Sequence, residues 1–227
     1  MAGNIQTEIE KLKNQIVYLG TAVQENMRKS FKALWEKNPD LARQVIAQDK
    51  DEIDTFEINV EEECLRLLAL HQPVAGDLRF IVTVLKINND LERIGDLAAK
   101  IADKVLLLHA VDPVKFASEA MQIPEMFNAM FEKTAWMFHN TMDAFVNEDT
   151  DLAYKVCLED DEVDRAKGAI RDQMEEIIMR DPSQHVYLAK LISVARSLER
   201  IADHCTKICE DIIYMAQGKI VRHHITR

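Results

Sequence analysis

Apolar residues recur along this chain at steps of three and four, the spacing that lines one face of an α-helix. Val45, Ile46, Ile53, Phe56 and Val60 form one such run. Helix-breaking punctuation separates the runs. Asn38-Pro39-Asp40 stops one segment and offers a proline and a capping side chain to the next. Gln72-Pro73 and Asp181-Pro182 do the same further on, and Asp112-Pro113 and Ile123-Pro124 bracket a linker of less regular pattern. The pattern predicts an all-α chain of six long helices starting near residues 4, 40, 74, 118, 150 and 183. Most are about 30 residues, or roughly 45 Å at a rise of ~1.5 Å per residue.

The second half repeats the first. Leu91-Glu92-Arg93-Ile94-Gly95-Asp96 returns as Leu198-Glu199-Arg200-Ile201-Ala202-Asp203, an offset of 107, and Lys100-Ile101 returns as Lys207-Ile208. Upstream, Glu52-Ile53-Asp54 matches Glu162-Val163-Asp164 at offset 110, and Asp40-Leu41-Ala42 matches Asp151-Leu152-Ala153 at offset 111. The drift in offset is expected chiefly in the turns around Pro73 and Pro182. Three helices per copy joined by short turns make an up-down-up bundle. The chain is therefore read as two tandem three-helix bundles, residues 1–112 and 113–227.

Composition narrows the function. Six glycines and five prolines in 227 residues are too few for the frequent turns of a strand-rich fold. A net charge of −11 disfavours nucleic acid and anionic membrane surfaces, both of which require clustered Lys and Arg. No apolar stretch approaches the roughly 20 residues of a membrane span, and the N-terminus lacks the apolar core of a signal peptide. A cytoplasmic location is expected, with Cys64, Cys157, Cys205 and Cys209 as reduced thiols. Cys205 and Cys209 are four apart with His204 beside them, a spacing that fits a soft-metal pair or, more simply, small core residues. The run Met121, Met126, Met130, Met137 and Met142 reads as adaptable core filling or as a re-packing partner surface.

The third helix of each copy carries the chemistry. With Glu92 as origin and about 100° per residue, Asp96 lies at roughly 40° and Asp103 at roughly 20°. Three carboxylates thus share one stripe, and Glu199, Asp203 and Glu210 repeat it. Ile94, Ile101, Val105 and Leu108 lie nearly opposite, as do Ile201, Ile208, Ile212 and Met215. Ile81 and Leu85, or Leu188 and Ile192, precede the acids at the same azimuth, so each stripe continues an apolar line. Carboxylates one turn apart suit a hard cation such as Mg, Ca, Mn or Fe. They suit a solvated face equally well, because Asp96–Lys100 and Asp203–Lys207 are spaced as i,i+4 pairs. Di-iron carboxylate enzymes instead carry Glu-x-x-His. Gly95 and Ala202 stand where that histidine would be, and His204 lies about 140° from the stripe, which disfavours that chemistry. The histidines, including His223-His224 in the tail, read as surface or satisfied polar residues.

The repeated Leu-Glu-Arg-Ile-x-Asp resembles the paired E/DxxxD signatures of the PhoU family. Gln72-Pro73-Val74-Ala75-Gly76-Asp77-Leu78-Arg79 before the first copy and Gly218 with Arg222-His223 after the second agree with it. The resemblance runs from about Ile9 to His223. It implies six helices in two bundles and a non-catalytic, cytoplasmic negative regulator of the phosphate-starvation response. It further implies a homodimer that links the ATPase subunit of a phosphate ABC transporter to a phosphate-sensing histidine kinase. Some relatives hold multinuclear metal clusters on these motifs. Carried onto this chain, the divalent or iron-type metal residues are Glu92, Asp96, Glu199 and Asp203, with Asp103 and Glu210 as further candidates. Many relatives have Asn where this chain has Lys100 and Lys207, cations that would compete with a metal. The competing readings are a metalloenzyme or metal store and a structural spacer.

Overall fold

A computed structural model describes residues 5–117 and 122–221. Met121, the expected helix start near residue 118 and the tail residues Arg222, His223 and His224 lie outside the described residues. The described chain is helical: α1 (Ile5–Trp35), α2 (Pro39–Gln48), α3 (Asp54–His71), α4 (Ala75–Val111), α5 (Pro113–Ala117), α6 (Met126–Asn147), α7 (Thr150–Arg180) and α8 (His185–Gln217). A π-helical turn, Asp49–Ile53, joins α2 to α3 without a break, so the long helices are six, as the periodicity predicts. The fourth long helix begins at Met126. Pro124 disfavours helical backbone at Ile123, so the regular helix starts only after it.

The repeat is visible in backbone detail. After α1, Lys37 adopts φ 54° and Asn38 N–H donates to Ala33 O at 2.8 Å. After α6, Glu148 adopts φ 52° and Asp149 N–H donates to Ala144 O at 3.0 Å. Asn38 Oδ1 then accepts from the N–H groups of Asp40 and Leu41, and Asp149 Oδ1 accepts from Leu152 N–H. Such caps satisfy amide groups that have no partner inside the helix. Asp181 caps the 3₁₀ turn Pro182–Gln184 that leads into α8.

The offset drift is not confined to the inter-helix turns. Asp40 to Glu52 spans one residue more than Asp151 to Glu162. The π turn begins inside that interval, at Asp49, whereas α7 runs through its counterpart unbroken. A single inserted residue in an α-helix is absorbed as a wider i→i−5 turn, and here Asp54 N–H donates to Asp49 O.

α1, α2–α3 and α4 pack as one bundle and α6, α7 and α8 as the other, with α4 lying against α8 and α1 touching α6. The apolar face read from the spacing is the core. Ile94, Ile101, Val105, Ile201, Ile208 and Ile212 have no exposed surface. Between bundles, the Phe31 and Phe131 rings stack with centroids 4.1 Å apart. Lys86 pairs with Asp211 at 3.1 Å, and His204 Nδ1 meets Asp90 Oδ1 at 2.7 Å. His204 is thus a satisfied buried polar residue that ties α8 to α4.

Candidate functional site

Glu92 and Asp96 sit half-buried on α4, near enough to acids from the preceding segment for their charges to act on one another. Asp49 comes from the π turn and Asp54 from the first turn of α3. Asp49 is only 4% exposed, and its Oδ1 has no hydrogen-bond partner. Burial pushes its pKa from 3.8 to about 7, helped by the charges of Asp54, Asp96 and Glu92 and opposed by Lys100. Burial also raises Asp54 and Glu92, and in each case Asp96 adds to the rise. Arg93 lies 3.3 Å from Glu92 and 3.5 Å from Asp96, and Lys100 lies 3.4 Å from Asp96. Two exposed cations therefore trim, from the outside, a cluster whose buried acid, Asp49, has no ion pair within 4 Å among the described residues.

The second cluster is built differently. Lys167 Nζ, from α7, lies 2.9 Å from Glu199 and 3.2 Å from Asp164, an ammonium held between two carboxylates. Hydrogen bonding to Glu199 leads the rise in the Lys167 pKa, with Asp164 adding to it. Burial raises Asp203, and Glu199 and Asp164 reinforce the rise. The i,i+4 pair with Lys207 does not form within 4 Å among the described residues. Lys207 instead lines a cavity of about 540 Å³ between α4 and α8, together with Lys86, Asp90, Glu210 and Asp211.

The structure therefore brings Glu92 and Asp96 together, and likewise Glu199 and Asp203, but leaves the outer candidates elsewhere. Asp103, two turns beyond Asp96, pairs with Lys104 at 3.0 Å. Glu210 lies at the α4–α8 cavity. Asp49, Asp54, Asp164 and Lys167 escaped the sequence reading as site residues, although the match of Glu52-Ile53-Asp54 to Glu162-Val163-Asp164 marked their segments.

The all-oxygen set of Asp49, Asp54, Glu92 and Asp96 fits a hard cation by donor type. The orphaned, buried Asp49 Oδ1 agrees with it. As the side chains stand, no three His, Cys, Asp or Glu residues among those described are gathered closely enough to hold a metal ion. A cation would have to draw them together. In the second cluster it would also have to displace Lys167. Cys205 and Cys209 are buried free thiols, and burial raises the Cys205 pKa, which suits the core reading.

The family model described as PhoU domain matches this chain twice, over residues 16–105 and 127–212. The chain belongs to the PhoU family. It is similar to the phosphate-specific transport system accessory protein PhoU of Escherichia coli (strain K12), 32% identical over 98% of this chain and 89% of that one. The PhoU homolog of Aquifex aeolicus is 38% identical over 95% of this chain and 94% of its own. Crystal structures of PhoU from Streptococcus pneumoniae and Pseudomonas aeruginosa both superpose with TM-score 0.86. The first is 28% identical, covering 96% of this chain and 99% of that one; the second is 32% identical, covering 95% and 100%. Each PhoU match contains one Glu-x-x-x-Asp pair, Glu92/Asp96 or Glu199/Asp203. No helix among the described residues is long and apolar enough to cross a membrane.

Proposed function

We propose that this chain regulates phosphate transport as a non-catalytic accessory protein and restrains the phosphate-starvation response. The observation that carries this reading is the match, over nearly the full length of both chains, to proteins named phosphate-specific transport system accessory proteins. Two repeats, divided at residues 112 and 113 ahead of Pro113, each offer a half-buried charged cluster on a rigid bundle. Such surfaces act by binding. The proposed partners are the ATPase subunit of a phosphate ABC transporter and a phosphate-sensing histidine kinase, met in the cytoplasm by a homodimer of this chain. The proposed metal residues are Glu92 and Asp96, joined by Asp49 and Asp54, for a divalent or iron-type cation. Glu199 and Asp203 would form a second such site only with Lys167 displaced; Asp103 would serve only at the margin of the first site and Glu210 only at the margin of the second. A bound cation would neutralise the acids and tie α4 to the π turn.

Deleting the gene in its host tests the regulatory reading. Phosphate-starvation reporters should stay on in abundant phosphate, and the reintroduced gene should switch them off. Reporter output unchanged by deletion in both high and low phosphate would overturn it.

A further inference from the structure

The surface over the second cluster carries the opposite charge from its repeat partner. A cavity of about 470 Å³ opens between α7 and α8, and its polar lining is Lys167, Arg171, Arg196, Arg200, Glu199 and Asp203. Four cations against two carboxylates make the lining formally +2, in a chain whose net charge is −11. Carried back by the repeat offsets of 110 and 107, the same positions in the first bundle are Glu57, Glu61, Asn89, Arg93, Glu92 and Asp96, formally −3. Three positions cause the inversion: Lys167 replaces Glu57, Arg171 replaces Glu61, and Arg196 replaces Asn89. Val60 and Ile170, and likewise Cys64 and Met174, are buried at offset 110, so the register of the comparison is set by the core.

We infer that the α7–α8 cavity is a binding site for a small phosphate-bearing anion. Lys167 already neutralises Glu199, and Arg171 lies 2.9 Å from Asp172. Arg196 and Arg200 are exposed and have no carboxylate within 4 Å among the described residues. Two guanidinium groups one helical turn apart each carry an N–H fork of the kind that grips a phosphate group in bidentate fashion. A phosphate ester carries close to two negative charges at neutral pH, which matches the formal +2, whereas a monocarboxylate supplies one. The cavity is within the usual size range of small-molecule sites, roughly 300–1,000 Å³. Gly168 on the α7 side adds no side chain to the opening, with nothing within 4 Å of its Cβ position.

Titration calorimetry on the full chain, in metal-free buffer, tests the site with three probes: inorganic phosphate, inorganic pyrophosphate and adenosine triphosphate. Saturable binding of all three assigns the site to free phosphate, and binding of only the larger two assigns it to a phosphorylated compound. Arg196→Ala combined with Arg200→Ala should weaken binding about tenfold or more, since each fork contributes charge-assisted hydrogen bonds. Both arginines are exposed, so the helix should be undisturbed, and circular dichroism checks this. Arg43→Ala, an exposed arginine on α2, should bind as the parent does. The inference is overturned if no probe binds at millimolar concentration. It is equally overturned if the double variant binds like the parent, or if Arg43→Ala loses as much affinity.

Discussion

Asp49 Oδ1 lies 2.7 Å from the point where a Cβ on residue 95 would stand, so the buried acid and Gly95 occupy one space. The second repeat has Ala202 at that position and no inserted residue in α7. The insertion and the missing side chain belong together: the π turn swings Asp49 inward, and Gly95 leaves it room.

Gly95→Ala should therefore lower stability, even though alanine is the better helix former. Ile53 Cγ2 is 3.1 Å from the same point, so two neighbours must shift. Overpacking of this kind costs roughly 1–3 kcal/mol, of which the gain in helix propensity returns up to about 1. Thermal melting should show a lower Tm for Gly95→Ala and partial recovery on adding Asp49→Ala. A variant as stable as the parent would mean that the contact is slack.

The raised pKa of Asp49 has a pH signature. Its folded value of about 7 exceeds its ordinary 3.8, so the folded chain holds the proton more tightly than the unfolded chain does. The resulting stabilisation is complete below pH 3.8 and is lost as pH rises through about 7. Asp49→Asn, which keeps the shape and removes the charge, should become more stable than the parent toward neutral pH. The difference should approach a few kcal/mol at most and vanish in acid. Denaturant melts of both proteins from acid to neutral pH, in the presence of a chelator, measure it. Parallel stability curves would show that Asp49 ionises normally.

The two clusters should respond unequally to metal. Adding Mn²⁺ should raise the parent Tm in proportion to its binding. Glu92→Ala with Asp96→Ala should lose most of that rise at little cost in helix stability, because alanine has the best helix propensity. Glu199→Ala with Asp203→Ala should lose less, since Lys167 already compensates Glu199 at 2.9 Å. If Mn²⁺ leaves all three melting temperatures where they were, the acids are a partner-facing or solvated surface.

Much of this molecule is legible without coordinates, for reasons that are local. A helix declares its buried face by spacing along one strand of chain, so Ile101 and Ile208 could be assigned to the core from periodicity alone. Asn38 and Asp181 announce helix starts because a cap depends only on the next two or three residues. The duplication of Leu-Glu-Arg-Ile-x-Asp placed Glu92, Asp96, Glu199 and Asp203 at equivalent positions, and the structure keeps both pairs together. Asp103 and Glu210 shared the same azimuth yet went elsewhere, because a helical stripe twelve residues long passes different neighbours at its two ends.

The character of each cluster comes from packing in three dimensions. Whether Asp49 is buried depends on how the π turn rotates it against α4, and whether Glu199 has a counter-ion depends on how α7 registers against α8. Those relations are set by packing between helices far apart in sequence, where a shift of one residue rotates a side chain by about 100°. Local spacing along the chain was enough to specify two copies of one bundle and one repeated acidic motif. The packing of α2–α3 on α4 and of α7 on α8 made one copy a buried acid cluster and the other a basic cavity. Charge at a surface is the sum over neighbours in space, and periodicity along a single helix carries only its own share of that sum.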